Sequence, residues 1–430
     1  LIHYLIKIGL FCHVEPPVIL KIFCLKENKT MKKSNLFKVL GLGLALTLGV
    51  SSLTACGNKG YTSKNTEYYI GSSGPLTGGA GVYGQAVKNG AQLAVDKITA
   101  AGGVNGYKLN FQMYDDVHDQ TKVAAGYSAQ LEAGMQMSLG CVTTKPCLQY
   151  KELSKEDNVF FITPSATADA VPEYENGFQM CFSDSTQGSA TAEYLEKLPD
   201  GEKPKKVGVF YKSDDDYSKG IYNKFMAELG TSWNGSEIVV TSFNDDNATD
   251  FSAQVSKLKE CDFVFMPIYY QPAAAFMKQG KTEMKANAVY FGGDGLDGVD
   301  AELGADLATV TQKISYISHF DAAATDGKAK TFIDAYKAKY GDTPIQFAAA
   351  AYDCVYALKD AIEFAVKEGK EVPVTISASD MCDVLKEVFH NSAFSVDGVT
   401  GTAMKWNADN TVNTSTKNVK EYIVKDFTAA

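Results

Sequence analysis

The stretch TEYYIGSSGPLTGGAGVYGQAVKNGAQLAVDKITAAGG, Thr66 to Gly103, decides how the chain folds. Its opening apolar run reads as a strand ending near Ile70. After the glycines, Ala86, Gly90, Leu93, Ala94 and Ile98 recur at helical spacing. Between them, Gly79 to Gly84 spells G-x-G-x-x-G, the fingerprint that in many enzymes seats a dinucleotide pyrophosphate at a helix start. That chemistry needs the first glycine directly after the strand, and here SSGPLTG intervenes, with Pro75 in the way. No dinucleotide is expected, and the glycines require another reason. What remains is a strand, a loop and a helix.

The same unit recurs downstream. Short β-rich runs lie at Lys108–Asp116, Met135–Cys141, Asn158–Pro164, Lys205–Tyr211, Glu237–Phe243, Asp262–Tyr270 and Asn287–Gly293. Helical patterns separate them, among them QTKVAAGYSAQLEAG, GSATAEYLEKL, YSKGIYNKFMAELG, DFSAQVSKLKE and QPAAAFMKQG. Alternation of this kind predicts an α/β fold of parallel sheets covered on both faces by helices. The units are too many for one sheet, and the chain restarts at KPKKVGVFY after the charged, proline-containing LPDGEKPKK. Two Rossmann-like lobes are therefore expected. A ligand would lie beyond the carboxyl ends of the strands, in the cleft between lobes.

Composition limits the partners. The 430 residues are 45% hydrophobic and 21% charged, with a net charge of −10. No basic stretch stands out beyond the N-terminus, which argues against nucleic acid, because phosphate binding needs a concentrated cationic surface. There is no G-x-S-x-G elbow, no H-E-x-x-H and no phosphate loop, so no enzyme activity and no cofactor are expected. The absence of C-x-x-C pairs predicts no structural metal. Cys141 and Cys147, the closest pair, are read either as a disulfide or as buried free thiols.

From Met31 the sequence has the three parts of a secretory signal: Lys32, Lys33 and Lys38, an apolar core from Val39 to Val50, and LTAC ending at Cys56. LTAC resembles the lipobox of bacterial lipoproteins, which makes Cys56 the expected lipidation site. Residues 1–30 are expected to lie outside the natural product, 31–55 to form the signal peptide and 56–65 a tether. The mature protein would then be extracytoplasmic and lipid-anchored to the bacterial membrane.

The polar motifs at the strand ends occur in a recognisable order: GPLTGGAGVYGQAVKNGAQLAVDKITAAGGVNG (Gly74–Gly106), YDD (Tyr114–Asp116), TPSAT (Thr163–Thr167), SDSTQG (Ser183–Gly188), DDDYSKG (Asp214–Gly220), ATDFSAQVSKLK (Ala248–Lys259), IYY (Ile268–Tyr270) and YFGGDG (Tyr290–Gly295). In that order the chain resembles the leucine/isoleucine/valine-binding proteins, substrate-binding subunits of branched-chain amino acid ABC transporters with the type I periplasmic-binding-protein fold. The resemblance implies a hinged clamshell. Lobe one is expected to hold residues 66–182 plus 320–400, and lobe two residues 183–319 plus 401–430. It also implies an amino acid ligand, a membrane permease as partner, and no chemistry on the ligand. A sensor of the same fold, or a receptor for an aromatic acid, amide or other small polar ligand, are the alternatives.

The site residues follow from the resemblance position by position. Thr144 matches the hydroxyl that holds the ligand carboxylate. Thr167 matches the residue that touches both charged groups, Ser165 the carbonyl that accepts from the ammonium, and Ala166 lies between them. Asp294 matches the acidic partner of the ammonium, although glutamate is common there. Tyr83 matches an aromatic at the cleft mouth, and Tyr217 and Tyr269 match aromatics of the second lobe that close over the ligand. His118 and Thr143 stand where relatives often carry a disulfide, so that staple is expected to be missing.

Overall fold

The computed structural model describes residues 64–417 and 420–425. Cys56, the signal segment and the tether fall outside them. The first sheet is built from β1 (Tyr68–Gly74), β2 (Leu109–Asp115), β3 (Met137–Cys141), β4 (Phe161–Thr163) and β5 (Gly177–Gln179), with helices α1 (Gly81–Ala100), α2 (Gln120–Glu132) and α3 (Thr144–Glu156) between them. Its order is β2-β1-β3-β4-β5, parallel throughout. Beyond it run α4 (Asp184–Lys197), β6 (Val207–Lys212), α5 (Asp216–Leu229), the small ribbon β7 (Ser232–Trp233) and β8 (Ser236–Glu237), and β9 (Val239–Phe243). These are followed by α6 (Ser252–Leu258), β10 (Phe263–Met266), α7 (Tyr270–Gly280), β11 (Val289–Gly292), α8 (Val299–Leu303) and β12 (Lys313–Ser318). Helices α9 (Gly327–Tyr340), α10 (Gln346–Lys367) and α11 (Ala378–Phe389) precede the last strand, β13 (Lys420–Lys425). The second sheet has the order β13-β12-β11-β10-β6-β9, parallel except for the antiparallel edge β12/β13.

Both sheets are covered on two faces, which explains why strands such as FVFM in β10 are buried at every position. In each sheet one early strand, β1 or β6, sits between its successors, so the strand order reverses beside it. The loops that leave the sheets at these reversals form the crevice in which open α/β folds bind ligands. All six described cysteines are free and buried, Cys141 and Cys147 included.

Strand β1 runs to Gly74 rather than ending near Ile70, because SSG is also paired, to β2 on one side and β3 on the other. Small residues are needed there: a Cβ on Gly71 would overlap the Met135 sulfur, and one on Gly74 the Val142 side chain. Loop 75–80 then separates β1 from α1, so the tight turn of a dinucleotide fingerprint is absent. Gly84 lies inside α1, where a Cβ would collide with the Pro75 carbonyl oxygen, and this close approach is the reason for glycine. Gly84→Ala is expected to cost about 1–3 kcal/mol of folding stability, read as a lowered urea midpoint with unchanged slope.

The chain passes between the sheets near Phe182 and again after Ser318, where α9 and α10 return to pack on α1. Residues 401–417, assigned to the second lobe from sequence, pack on the first. The Trp406 indole N–H donates to the Gln179 carbonyl at 2.9 Å, and the Asn410 carbonyl accepts from Gln179 N at 3.1 Å. Edge strand β5 offers unpaired backbone groups that this segment satisfies. The third crossing therefore comes after Lys417, and β13 alone of this region joins the second sheet.

Candidate functional site

Every candidate ligand-binding residue lies past the carboxyl end of a strand, in the loop or the first helical turn that follows it. Asp294 follows β11 and opens a short 3₁₀ turn, Asp294–Leu296. It is 1% exposed. Its N–H donates to Gln187 Oε1 at 2.8 Å, and its Oδ1 accepts from the Tyr217 hydroxyl at 2.9 Å. That hydroxyl in turn accepts from Gly295 N at 2.8 Å. Asp294 Oδ2 is buried with no partner in the protein. Burial raises the Asp294 carboxyl to about 7, against the opposing pull of Tyr217 and Gln187. A carboxylate anchored on one oxygen and open on the other is set up to receive a cation.

Tyr217 stacks on Tyr269 at 4.8 Å between ring centres, with planes 21° apart. Tyr269 meets Tyr83 and His118 edge-on at 5.5 and 5.6 Å. Together these rings form an apolar wall with polar tips. Tyr217→Phe removes a donor to Asp294 and an acceptor for Gly295 together, so ligand affinity is expected to fall about tenfold with the fold intact, measured by calorimetric titration.

Donors come from the loop and helix that follow β3, which His118 links to the Tyr269 ring. Thr144 is the first residue of α3 and is 1% exposed. At a helix start the backbone N–H groups lack intrahelical acceptors and the helix dipole favours negative charge. The preceding Thr143 does not cap the helix; its hydroxyl is bonded to His118 Nδ1 at 2.9 Å. A hydrogen bond thus joins the two positions where a disulfide was expected to be missing. Burial, reinforced by Lys212 and Lys145, holds His118 down to about 4, so its ring is neutral at physiological pH. The sequence contains no arginine, so any carboxylate bound here must rely on hydroxyls, backbone N–H groups and the helix start.

Loop 164–167 is divided in its use. Ser165 Oγ donates to the Val142 carbonyl at 2.7 Å and its N–H to Thr163 Oγ1 at 3.3 Å, so only its backbone carbonyl is left to offer. Ala166 has no polar group left to give: its N–H goes to Thr163 Oγ1 and its carbonyl accepts from Gln179. Thr167 is fully buried, its carbonyl accepting from Asp184 N at 2.8 Å and its hydroxyl without a partner. The sequence reading passed over Asp184 and Gln187, although both lie in the quoted SDSTQG. Their i, i+3 spacing on a helix that starts at a crossing puts them on one face toward the crevice.

The lobes touch directly across this region. The Tyr83 hydroxyl donates to the Gly295 carbonyl at 2.5 Å and accepts from Tyr270 N at 3.2 Å. Gln346 N donates to Asp297 Oδ2 at 2.9 Å. The clamshell is closed. Unpartnered Thr167 Oγ1, Asp184 Oδ1 and Oδ2, Gln187 Nε2 and Asp294 Oδ2 are buried in it.

Two lobes closed over such a set of donors and acceptors match a known architecture, and residues 67–414 match the family model described as periplasmic binding protein. The chain belongs to that family. It is 30% identical over 325 residues to the Leu/Ile/Val-binding protein BraC3 of Rhizobium johnstonii, covering 71% of this chain and 85% of the relative. A leucine-, isoleucine-, valine-, threonine- and alanine-binding protein of Pseudomonas aeruginosa is 26% identical over 356 residues, 81% of this chain and 91% of its own. Among solved structures, the branched-chain amino acid transporter substrate-binding protein LivJ of Streptococcus pneumoniae in complex with isoleucine matches with a TM-score of 0.69 and 27% identity, over 84% of this chain and 100% of its own. Proteins of the family are binding proteins, and the fold is of the type I periplasmic-binding kind. Among the described residues, no helix is long and apolar enough to cross a membrane and no cluster of His, Cys, Asp or Glu is arranged to hold a metal.

Proposed function

We propose that this protein is the extracytoplasmic receptor of an ABC importer and captures a branched-chain amino acid in the interlobe crevice. The observation that carries the reading is the buried, unpartnered Oδ2 of Asp294, held by Tyr217 and Gln187. An α-amino acid is a zwitterion, and burying it requires acceptors at one end and donors at the other. Asp294 and the Ser165 carbonyl would take the ammonium. Thr144, Thr167 and the free end of α3 would take the carboxylate. Tyr83, Tyr217 and Tyr269 would lie against the aliphatic side chain. The Leu/Ile/Val-binding protein of Rhizobium johnstonii and the leucine-, isoleucine-, valine-, threonine- and alanine-binding protein of Pseudomonas aeruginosa support the same choice.

Binding would begin on the first lobe, through Thr144, Ser165 and Thr167. Closure then adds Asp294, Tyr217 and Tyr269, contacts that the open form lacks, and this difference in affinity drives the lobes together. A lipid on Cys56 would hold the receptor near its permease. The protein, unfolded and refolded to strip carried-over ligand, should bind leucine, isoleucine or valine with micromolar or tighter affinity in calorimetric titration. Silence toward these three, with binding of an aromatic acid or amide instead, would overturn the ligand assignment.

A further inference from the structure

The closed crevice contains a second carboxyl that a zwitterion does not need. Asp184 is the first residue of α4 and is 1% exposed. Its N–H donates to the Thr167 carbonyl at 2.8 Å, across the lobes, and its carboxyl lies near enough to the Thr167 hydroxyl to feel it. Both carboxyl oxygens lack a hydrogen-bond partner. Gly220 of α5 makes the space, since a Cβ there would overlap Asp184 Oδ2.

The charges that act most strongly on Asp184 are acidic: Asp294 from the loop after β11, Asp169 from the loop after β4, and Asp215 from the loop before α5. The lysines of α5 nearest to it in sequence, Lys219 and Lys224, are engaged with Asp216 and Glu228. No ion pair to Asp184 occurs among the described residues. An amino acid brings one ammonium, and Asp294 is placed to take it. An ionised Asp184 would then be a second, uncompensated negative charge in a desolvated chamber, which is the costly case for buried charges. The helix dipole at the start of α4 favours the anion, but only weakly beside that desolvation. Burial and the neighbouring carboxylates push the Asp184 carboxyl well above its ordinary value, outweighing the hydroxyl of Thr167.

We propose that Asp184 is a positioning residue that closes over the ligand as the neutral acid, its O–H donating to Thr167 Oγ1 so that the Thr167 hydroxyl hydrogen is turned toward the ligand carboxylate. This rests on the amino-acid reading above. In the open form Asp184 faces water and is ionised at neutral pH, so closure takes one proton from the solvent for each ligand bound. The carboxyl titrates higher in the closed complex than in the open protein. Binding is therefore strongest below the open-state value, weakens by up to tenfold per unit as pH rises between the open-state and closed-state values, and levels off above the closed-state value.

The test is calorimetric titration of the full protein with leucine at pH 8, in phosphate and in Tris, whose ionisation enthalpies differ. At that pH a histidine with an unperturbed value near 6.5 is neutral in both forms, so His118 exchanges no proton on closure. Wild type should take up close to one proton per leucine. Asp184→Asn keeps an N–H donor for Thr167 and needs no proton to close, so at pH 8 it should bind more tightly than wild type, take up no proton and lose the pH slope. Asp184→Ala lacks the donor and should bind at least about tenfold more weakly than the asparagine variant. Leucine binding by wild type without proton uptake, or equal affinity in the asparagine and alanine variants, overturns the role of Asp184 and leaves the amino-acid reading standing. Failure of wild type to bind any branched-chain amino acid overturns both.

Discussion

Asp294→Ala lowers the affinity for a branched-chain amino acid by about 30- to 5,000-fold, the range expected when one partner of a buried, hydrogen-bonded charge pair is removed. The effect is large because the substitution strands several groups together. The ligand ammonium loses its only anionic acceptor in a closed space. The Tyr217 hydroxyl also loses the oxygen at 2.9 Å to which it donates. Calorimetric titration reads the affinity, and small-angle scattering reads closure. The variant should remain open at leucine concentrations that close the wild type, since Asp294 contributes only after the lobes meet. Undiminished affinity in Asp294→Ala would remove the ammonium contact from the account.

Asp353→Ala should be the most damaging single change to stability, by about 3–5 kcal/mol, the usual cost of leaving a buried charged partner unpaired. Asp353 lies in α10 and is fully buried. Its carboxylate accepts from Val399 N and Thr400 N, each at 2.8 Å, and from Thr400 Oγ1 at 2.5 Å. Thr400 Oγ1 accepts in turn from Lys417 Nζ at 2.6 Å, and burial pulls the Lys417 ammonium down to about 8. The network ties α10 to the segment that leads to the third crossing. Urea unfolding should show the loss, and the double variant Asp353→Ala/Lys417→Met should recover part of it, because the stranded ammonium is gone. A double variant no more stable than Asp353→Ala would show that the charge of Lys417 is not what makes the alanine costly.

The α/β alternation was legible because parallel strands buried on both faces read as apolar runs, and YFGG or FVFM can hardly be anything else. The loops after those strands carry the candidate site, and TPSAT and GGDG were legible as polar strand ends without any contact being known. Three features were hidden for separate reasons. The strand character of SSG depends on what lies against Gly71 and Gly74, which local pattern does not record. The attachment of 401–417 to the first lobe depends on the free edge of β5 and on one indole N–H, both long-range. Asp184 resembles an ordinary first-turn carboxylate, and only the long-range packing of Gly220 from the neighbouring helix and of the Thr167 loop from the other lobe leaves it buried. The Ala166 backbone shows the converse: its place between two site residues suggested contact, but its polar groups are spent inside the loop.

The most direct measurement compares leucine with 4-methylpentanoate, its deaminated analogue, by calorimetric titration at pH 8. The two share a carboxylate and a side chain and differ only in the ammonium that Asp294 is placed to receive. A site with a buried acceptor awaiting that group should reject the analogue by at least about a hundredfold. Comparable affinity for both would contradict the assignment of the crevice to a zwitterionic amino acid.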